Sequence, residues 1–269
     1  MKRRGRVITL LSDFGDTDGY VAGMKGAILS IFPGAAIVDV SHHISPYYVL
    51  SAAYVLKTYY GMFPEGTVHV VVVDPGVGGG RKALAASAGG RYFAAPDNGV
   101  LSYVLREAGD FIAREITNPE LMRGEVSATF HGRDVFAPAA AHLAMGKRFE
   151  DFGRVVKSPV VLEDAFPRTT PGGTTGKIIH IDHFGNLITS ITRKDLGDGE
   201  KASVTVRAAG KTVIGLSETY SSGGKGELIV YFGSSGHLEI GAVETSAALM
   251  LGVNPGDEVN AVVPGRKRT

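Results

Sequence analysis

Four consecutive valines, Val70 to Val73, are followed at once by Asp74-Pro75-Gly76-Val77-Gly78-Gly79-Gly80-Arg81. An unbroken β-branched run with no polar alternation reads as a strand buried on both faces, the pattern of a central parallel strand. Pro75 removes a backbone donor and the glycines permit tight geometry, so the strand must stop here. Asp74 is thereby expected at the carboxyl edge of a sheet, where open α/β sheets bind their ligands. Arg81 closes the glycine loop and is free to come back toward the carboxylate.

The preceding chain supplies the rest of such a sheet. Val7 to Leu11 is a short apolar strand, and Ser12 to Gly19 an acidic loop. Val21, Met24, Ile28 and Ile31 share one helical face ahead of Pro33-Gly34. Ala36 to Val40 is a second strand. Ser45-Pro46 then predicts a helix start, with Val49, Ala52, Ala53, Leu56 and Tyr60 turned inward. Strand-helix-strand-helix-strand implies parallel pairing through crossover helices. Beyond the glycine loop, strands are predicted at 83–86, 92–95 and 111–116. Helices are predicted through Val100, Val104 and Leu105, and through Val135, Ala139, Leu143 and Met145.

Composition changes near Lys157, and the prolines and glycines between 158 and 176 read as a linker. From 177 to 269 the pattern has period two with glycine punctuation: strands at 177–181, 187–192, 202–206, 212–214, 228–231, 238–240 and 258–263, and one helix over 244–251. Short strands at close spacing predict a small antiparallel β-barrel or sandwich. The expectation is therefore an α/β protein, with an N-terminal parallel-sheet domain over 1–157 and a smaller C-terminal β domain.

A net charge of +1 gives no electrostatic case for nucleic acid or an anionic membrane as partner. Without cysteine, neither a disulfide scaffold nor a thiolate metal site is available. The apolar run after the basic N-terminus is too short for a signal peptide, and no run reaches membrane-spanning length. A cytoplasmic protein is expected.

Individual motifs are ambiguous. Gly76-Val77-Gly78-Gly79-Gly80 is not a dinucleotide fingerprint, because Arg81 stands at the third glycine position and no long helix opens behind it. The aspartates at 13, 16 and 18 do not fit an EF-hand register, since Phe14 and Lys25 would fall at the first and last ligand positions. An acidic loop of this kind caps a helix as readily as it takes the hydroxyls of a ribose. Asp74 and Arg81 alone would stiffen a loop, and His131 alone would be structural. His42-His43 read as solvated loop residues. Asp182-His183-Phe184-Gly185-Asn186 is a tight turn whose Phe and Asn could also read a flat heterocycle.

Taken in order, five stretches resemble one family. They are Ser12-Asp13-Phe14-Gly15 with Asp18, Asp74-Pro75-Gly76-Val77-Gly78 with Arg81, Ala95-Pro96-Asp97-Asn98-Gly99, Phe130-His131-Gly132-Arg133, and Ile181-Asp182-His183-Phe184-Gly185-Asn186. The chain is similar to the S-adenosylmethionine hydroxide adenosyltransferases, hydrolases related to fluorinase and chlorinase. The resemblance implies a C-terminal β-barrel and a homotrimer, with ligand held between one subunit's N-terminal domain and a neighbour's C-terminal domain. It implies that Asp13 holds the ribose hydroxyls with Asp18 nearby, and that Tyr47 packs on the adenosyl face where halogenases carry tryptophan. Phe184 and Tyr220 would flank adenine, Asn186 would bond its edge, and Asp182 and Ser234 would hold the methionine end. Asp74, Arg81 and His131 match the family's water-activating triad, with no metal or cofactor required.

The chemistry suits these residues. A sulfonium leaves as a neutral thioether and needs no acid, so the demand falls on the nucleophile: water, with a pKa of about 15.7. A carboxylate and a histidine can accept or relay its proton while arginine steadies the developing hydroxide. A halide would instead be repelled by Asp74, and Gly132 offers it no hydroxyl. The expected reaction is hydrolysis of S-adenosylmethionine to adenosine and L-methionine. A metal-dependent nucleoside hydrolase and a non-catalytic adenosyl-ligand sensor are the competing readings.

Overall fold

The computed structural model describes residues 7–197 and 204–263 and divides into two compact units, Met1–Leu162 and Glu163–Thr269. In the first, β1 (Val7–Ser12), β2 (Ala36–Ser41), β3 (Val68–Val72), β4 (Ala83–Ala88), β5 (Arg91–Pro96) and β6 (Ile112–Glu115) form one sheet in the order β2-β1-β3-β5-β4-β6. β2, β1, β3 and β5 run parallel, while β4 is antiparallel to both its neighbours. All five residues of β3 are buried, as the valine run requires of a strand enclosed on both faces. It spans 68–72, so the strand starts earlier than the valines and releases Val73 and Asp74 into the loop.

The faces are covered by helices. α1 (Tyr20–Ile31) and α4 (Ala137–Met145) pack together on one side, burying Met24, Ile28, Ala140 and Leu143 against Ile8, Leu10, Val68 and Val70. α2 (Val49–Tyr59) and α3 (Ser102–Glu107) pack together away from them, with α2 against β1. α2 does not start at Ser45-Pro46. Tyr47 takes a left-handed φ of 67°, which breaks helical propagation, and the helix opens at Val49. Tyr60 falls in the short 3₁₀ turn that follows. Met145 is exposed rather than inward, because Gly146 in the left-handed region ends α4 and turns the chain away.

The second unit is an antiparallel sheet built from β7 (Arg168–Thr170), β8 (Gly173–Ile181), β9 (Leu187–Thr192), β10 (Thr205–Ala208), β11 (Lys211–Ile214), β12 (Leu228–Phe232), β13 (His237–Ala242) and β14 (Glu258–Val262). Its path is β11-β10-β14-β8-β9-β13-β12, with β7 paired beside β8. The Ser217 N–H donates to the Val230 carbonyl at 2.7 Å, drawing the chain after β11 onto β12 and nearly closing a barrel. Ile178, Ile191, Val206, Val230, Leu238, Ile240 and Val259 fill its interior. The stretch read as a linker contains paired strands: Pro171-Gly172 is the turn of the β7–β8 hairpin, and turn composition does not distinguish a hairpin from a tether. Of the strand expected over 202–206, residues 202 and 203 lie outside the described residues. α6, after the four-residue α5 (Arg193–Leu196), is Ala247–Leu251, capped by Ser246.

Candidate active site

The strand order places a topological switch between β1 and β3, because the chain leaves β1 for β2 on one side and returns to β3 on the other. Ligands bind outside the carboxyl ends at such a point. Asp13 directly follows β1, and Asp74 stands two residues after β3. A cavity of about 330 Å³ opens there, lined by Asp13, Tyr47, Asp74, Phe130, His131 and Gly132 among others.

Asp74 and Arg81 form the best-defined pair in it. The Arg81 Nε–H group lies 3.0 Å from both carboxylate oxygens, and Nη2 also donates to Oδ2. Both side chains are close to fully buried, and the guanidinium stacks 5.3 Å from the Phe136 ring centroid. The same Nη2 lies 2.7 Å from His131 Nδ1. Guanidinium has only donors, so Nδ1 must accept, and the neutral imidazole carries its proton on Nε2. Burial and the neighbouring guanidinium both push the His131 pKa down, which favours this neutral form.

Local backbone chemistry brings these three residues together. Asn98 Nδ2 donates to the Val73 carbonyl at 2.9 Å, so the Pro96-Asp97-Asn98-Gly99 motif braces the end of β3. Gly78 has φ +74°, and a Cβ on it would lie 2.2 Å from the Ala128 carbonyl oxygen; only glycine lets the loop press against the segment carrying His131. That segment is held in turn by Asp134, fully buried, which accepts from Ser127 N–H and from Arg133 Nε and Nη2. His131 begins a π-helical turn, Gly132–Phe136, an irregularity common at functional sites.

On the other wall, Asp13 Oδ2 accepts from the Tyr47 N–H at 2.8 Å. Burial raises the Asp13 pKa, opposed by that hydrogen bond and assisted by the charge of Asp74. Tyr47 is exposed at the cavity mouth in its strained conformation. Phe14, Tyr20 and Phe130 form a mutually packed aromatic cluster beside them, with centroids 5.2–5.7 Å apart. Asp18 is exposed and does not line the cavity. Tyr20 does line it, and its place at the first turn of α1, just after the acidic loop, is the sequence signal for it. Among the described residues, no three His, Asp or Glu side chains are grouped as a metal site.

In the second unit, Asp182, Asn186 and Tyr220 gather at one end of the barrel. Asp182 accepts from the N–H groups of Phe184 and Asn186 and from Asn186 Nδ2, at 2.8–2.9 Å. A Cβ on Gly241 would meet Asn186 Oδ1 at 2.9 Å and the Tyr220 ring at 3.3 Å. The buried Asn186 Oδ1 has no hydrogen-bond partner. The Tyr220 hydroxyl donates to the Ala242 carbonyl at 2.6 Å. Phe184 stands out from its turn, 71% exposed, and Ser234 is exposed on the β12–β13 turn.

A switch-point cavity with Asp13 on one wall and Asp74 and His131, both bonded to Arg81, on the other is the candidate site of this α/β protein. The chain belongs to the SAM hydroxide adenosyltransferase family: the model of the family's N-terminal domain matches residues 8–153 and that of its C-terminal domain residues 176–260. It is 36% identical to an (R)-S-adenosyl-L-methionine hydrolase of Salinispora arenicola, over 94% of this chain and 96% of that protein. It is 34% identical to a fluorinase of an Actinoplanes species, covering 87% and 90%. A crystal structure of a conserved protein from Thermotoga maritima superposes with a TM-score of 0.85 at 38% identity, covering 94% and 99%. No helix among the described residues is long and apolar enough to cross a membrane.

Proposed function

We propose that this protein hydrolyses S-adenosyl-L-methionine to adenosine and L-methionine by attack of water at C5′ of the ribose. The observation carrying this reading is that Arg81 bonds both Asp74 and His131, two residues from separate loops that line one cavity with Asp13. Asp13 would take the ribose hydroxyls, and Tyr47 would pack on the adenosyl face. Phe184 and Tyr220 would enclose adenine, with Asn186 bonding its edge. Asp182 and Ser234 would hold the methionine end. A homotrimer in which a neighbour's C-terminal unit completes the cavity belongs to the same proposal.

The tautomer divides the chemical work. With Nδ1 accepting from Arg81, His131 presents Nε2–H and holds the water oxygen rather than removing its proton. Asp74 then receives the proton through a lone pair that Arg81 leaves free. The water oxygen bonds to C5′ as the C5′–S bond breaks, and the electron pair departs on a neutral thioether. Arg81 steadies the developing hydroxide, a type of contribution worth ~10²-fold or more. Lining up the oxygen behind C5′ lowers the barrier further. Halide transfer, the activity named for the fluorinase relatives, fits this cavity less well. Asp74 would repel an anion, and a side chain at Gly132 would meet Phe14, Met24 and Phe130 within 3.2–3.3 Å.

Incubation of pure protein with S-adenosylmethionine in ¹⁸O-water tests the proposal. Label is expected in the 5′-hydroxyl of adenosine and unchanged by chelator. Label at ribose C1′, lost with chelator, would point to a nucleoside hydrolase instead. Binding without product would point to a sensor.

A further inference from the structure

His42, which the sequence places in a solvated loop, is buried. Its ring joins two loops at the carboxyl edge of the sheet. Nδ1 lies 2.8 Å from Ser12 Oγ, which is itself fully buried, and Nε2 lies 3.1 Å from Asp39 Oδ1. Lys25 Nζ donates to the other Asp39 oxygen. Nε2 therefore donates to the carboxylate and, in the neutral ring, Nδ1 accepts the Ser12 hydroxyl proton. Ser12 Oγ in turn accepts from the Phe14 N–H at 3.3 Å. The backbone follows the same line: the Gly15 N–H donates to the His42 carbonyl at 2.7 Å, and the Ile44 N–H to the Ser12 carbonyl at 3.3 Å.

Asp13 lies between Ser12 and Phe14, inside the turn that this network grips. Tyr47, whose N–H fixes the Asp13 carboxylate, follows directly on the other loop. Ser12 Oγ points inward and is fully buried, so this Ser-His-Asp arrangement is not a nucleophilic triad; access is absent where such a nucleophile needs it. Asp74, Arg81 and His131 are carried by different elements.

We propose that His42 is a positioning residue for ribose binding. By holding Ser12 through Nδ1, it sets the Asp13 carboxylate and the Tyr47 backbone in the geometry that takes the two ribose hydroxyls, independently of the water-activating set. This inference rests on the hydrolase reading. It names a residue that touches neither substrate nor water, yet controls affinity for the adenosyl group.

Two side chains separate the two ring contacts. In His42→Asn the amide stands where Nδ1 was and keeps the Ser12 contact; in His42→Gln it stands where Nε2 was and keeps Asp39 instead. Ser12→Ala removes the shared oxygen. With S-adenosylmethionine as substrate, His42→Gln and Ser12→Ala are expected to raise KM about tenfold, the order set by one unsatisfied buried polar group, with kcat within about threefold of the parent. His42→Asn is expected to stay within about threefold in both. Adenosine affinity by calorimetry should fall in step with KM. Equal loss of kcat, KM and melting temperature in all three variants would mean a purely structural histidine and overturn the inference. So would unchanged KM and adenosine affinity in His42→Gln and Ser12→Ala. Absence of turnover in the parent protein would refute the hydrolase reading instead, and adenosine binding would still test the role of His42.

Discussion

Gly78→Ala tests how the loops carrying Arg81 and His131 are held in register. At φ +74° an alanine costs roughly 1–2 kcal/mol more than glycine. The new Cβ would also lie 2.2 Å from the Ala128 carbonyl oxygen, a backbone atom that cannot rotate aside. Carbon–oxygen contacts settle near 3.3 Å, so the loop and the 127–131 segment must separate by about 1 Å. That gap falls between the Asp74–Arg81 pair and His131, across the 2.7 Å contact between Arg81 and the imidazole. A misplacement of about 1 Å costs on the order of 10²-fold in rate. The expected result is a kcat lowered ~10²-fold, with KM changed little because Asp13 and Tyr47 sit on other loops. Melting should fall by roughly 3–8 °C. Gly80→Ala is the control, since its Cβ meets nothing within 4 Å. Adenosine release followed by chromatography, with a thermal melt of each variant, measures both effects. A Gly78→Ala enzyme with kcat within threefold of the parent would show that contact with Ala128 does not set the distance between the loops.

Two further expectations concern protons. Because burial and Arg81 lower the His131 pKa, the imidazole stays neutral at pH 7 and accepts from Arg81; kcat/KM should be flat there and fall only below about pH 6.5. A pH–rate profile with its acid limb centred above 7 would contradict that tautomer. On the α2 side of the sheet, fully buried His69 has its pKa lowered to about 3 by burial and then by the charge of Arg91. The unfolded chain binds that proton near 6.5, so between the two values U holds more protons than N, and stability falls as pH drops. At pH 5 the loss from this one group is about 2 kcal/mol. Urea unfolding at pH 7.5 and pH 5 should show a smaller acid loss in His69→Phe than in the parent, and equal losses would refute the assignment.

The sequence by itself determined the alternation of strands and helices in the first unit, the close of β3 just ahead of Asp74, and the identities of the reactive groups. These are local matters: four valines enforce burial, Pro75 bars the strand from resuming, and the glycines of the following loop accept conformations other residues resist. Five motifs in order along the chain go further and point to one family. Local pattern was weakest where one composition serves two geometries, as at Pro171-Gly172, a hairpin turn that reads as a tether, and at Ser45-Pro46, where Tyr47 delays the helix. Only the tertiary structure decided which nitrogen of His131 faces Arg81, because a tautomer depends on a neighbour 50 residues away. It alone buried His42 against Ser12, 30 residues distant, and left Asp18 outside the cavity that Asp13 lines. Residue type along a chain carries chemical capacity; distance and burial, which decide whether that capacity is used, arise from packing between segments that no local pattern encodes.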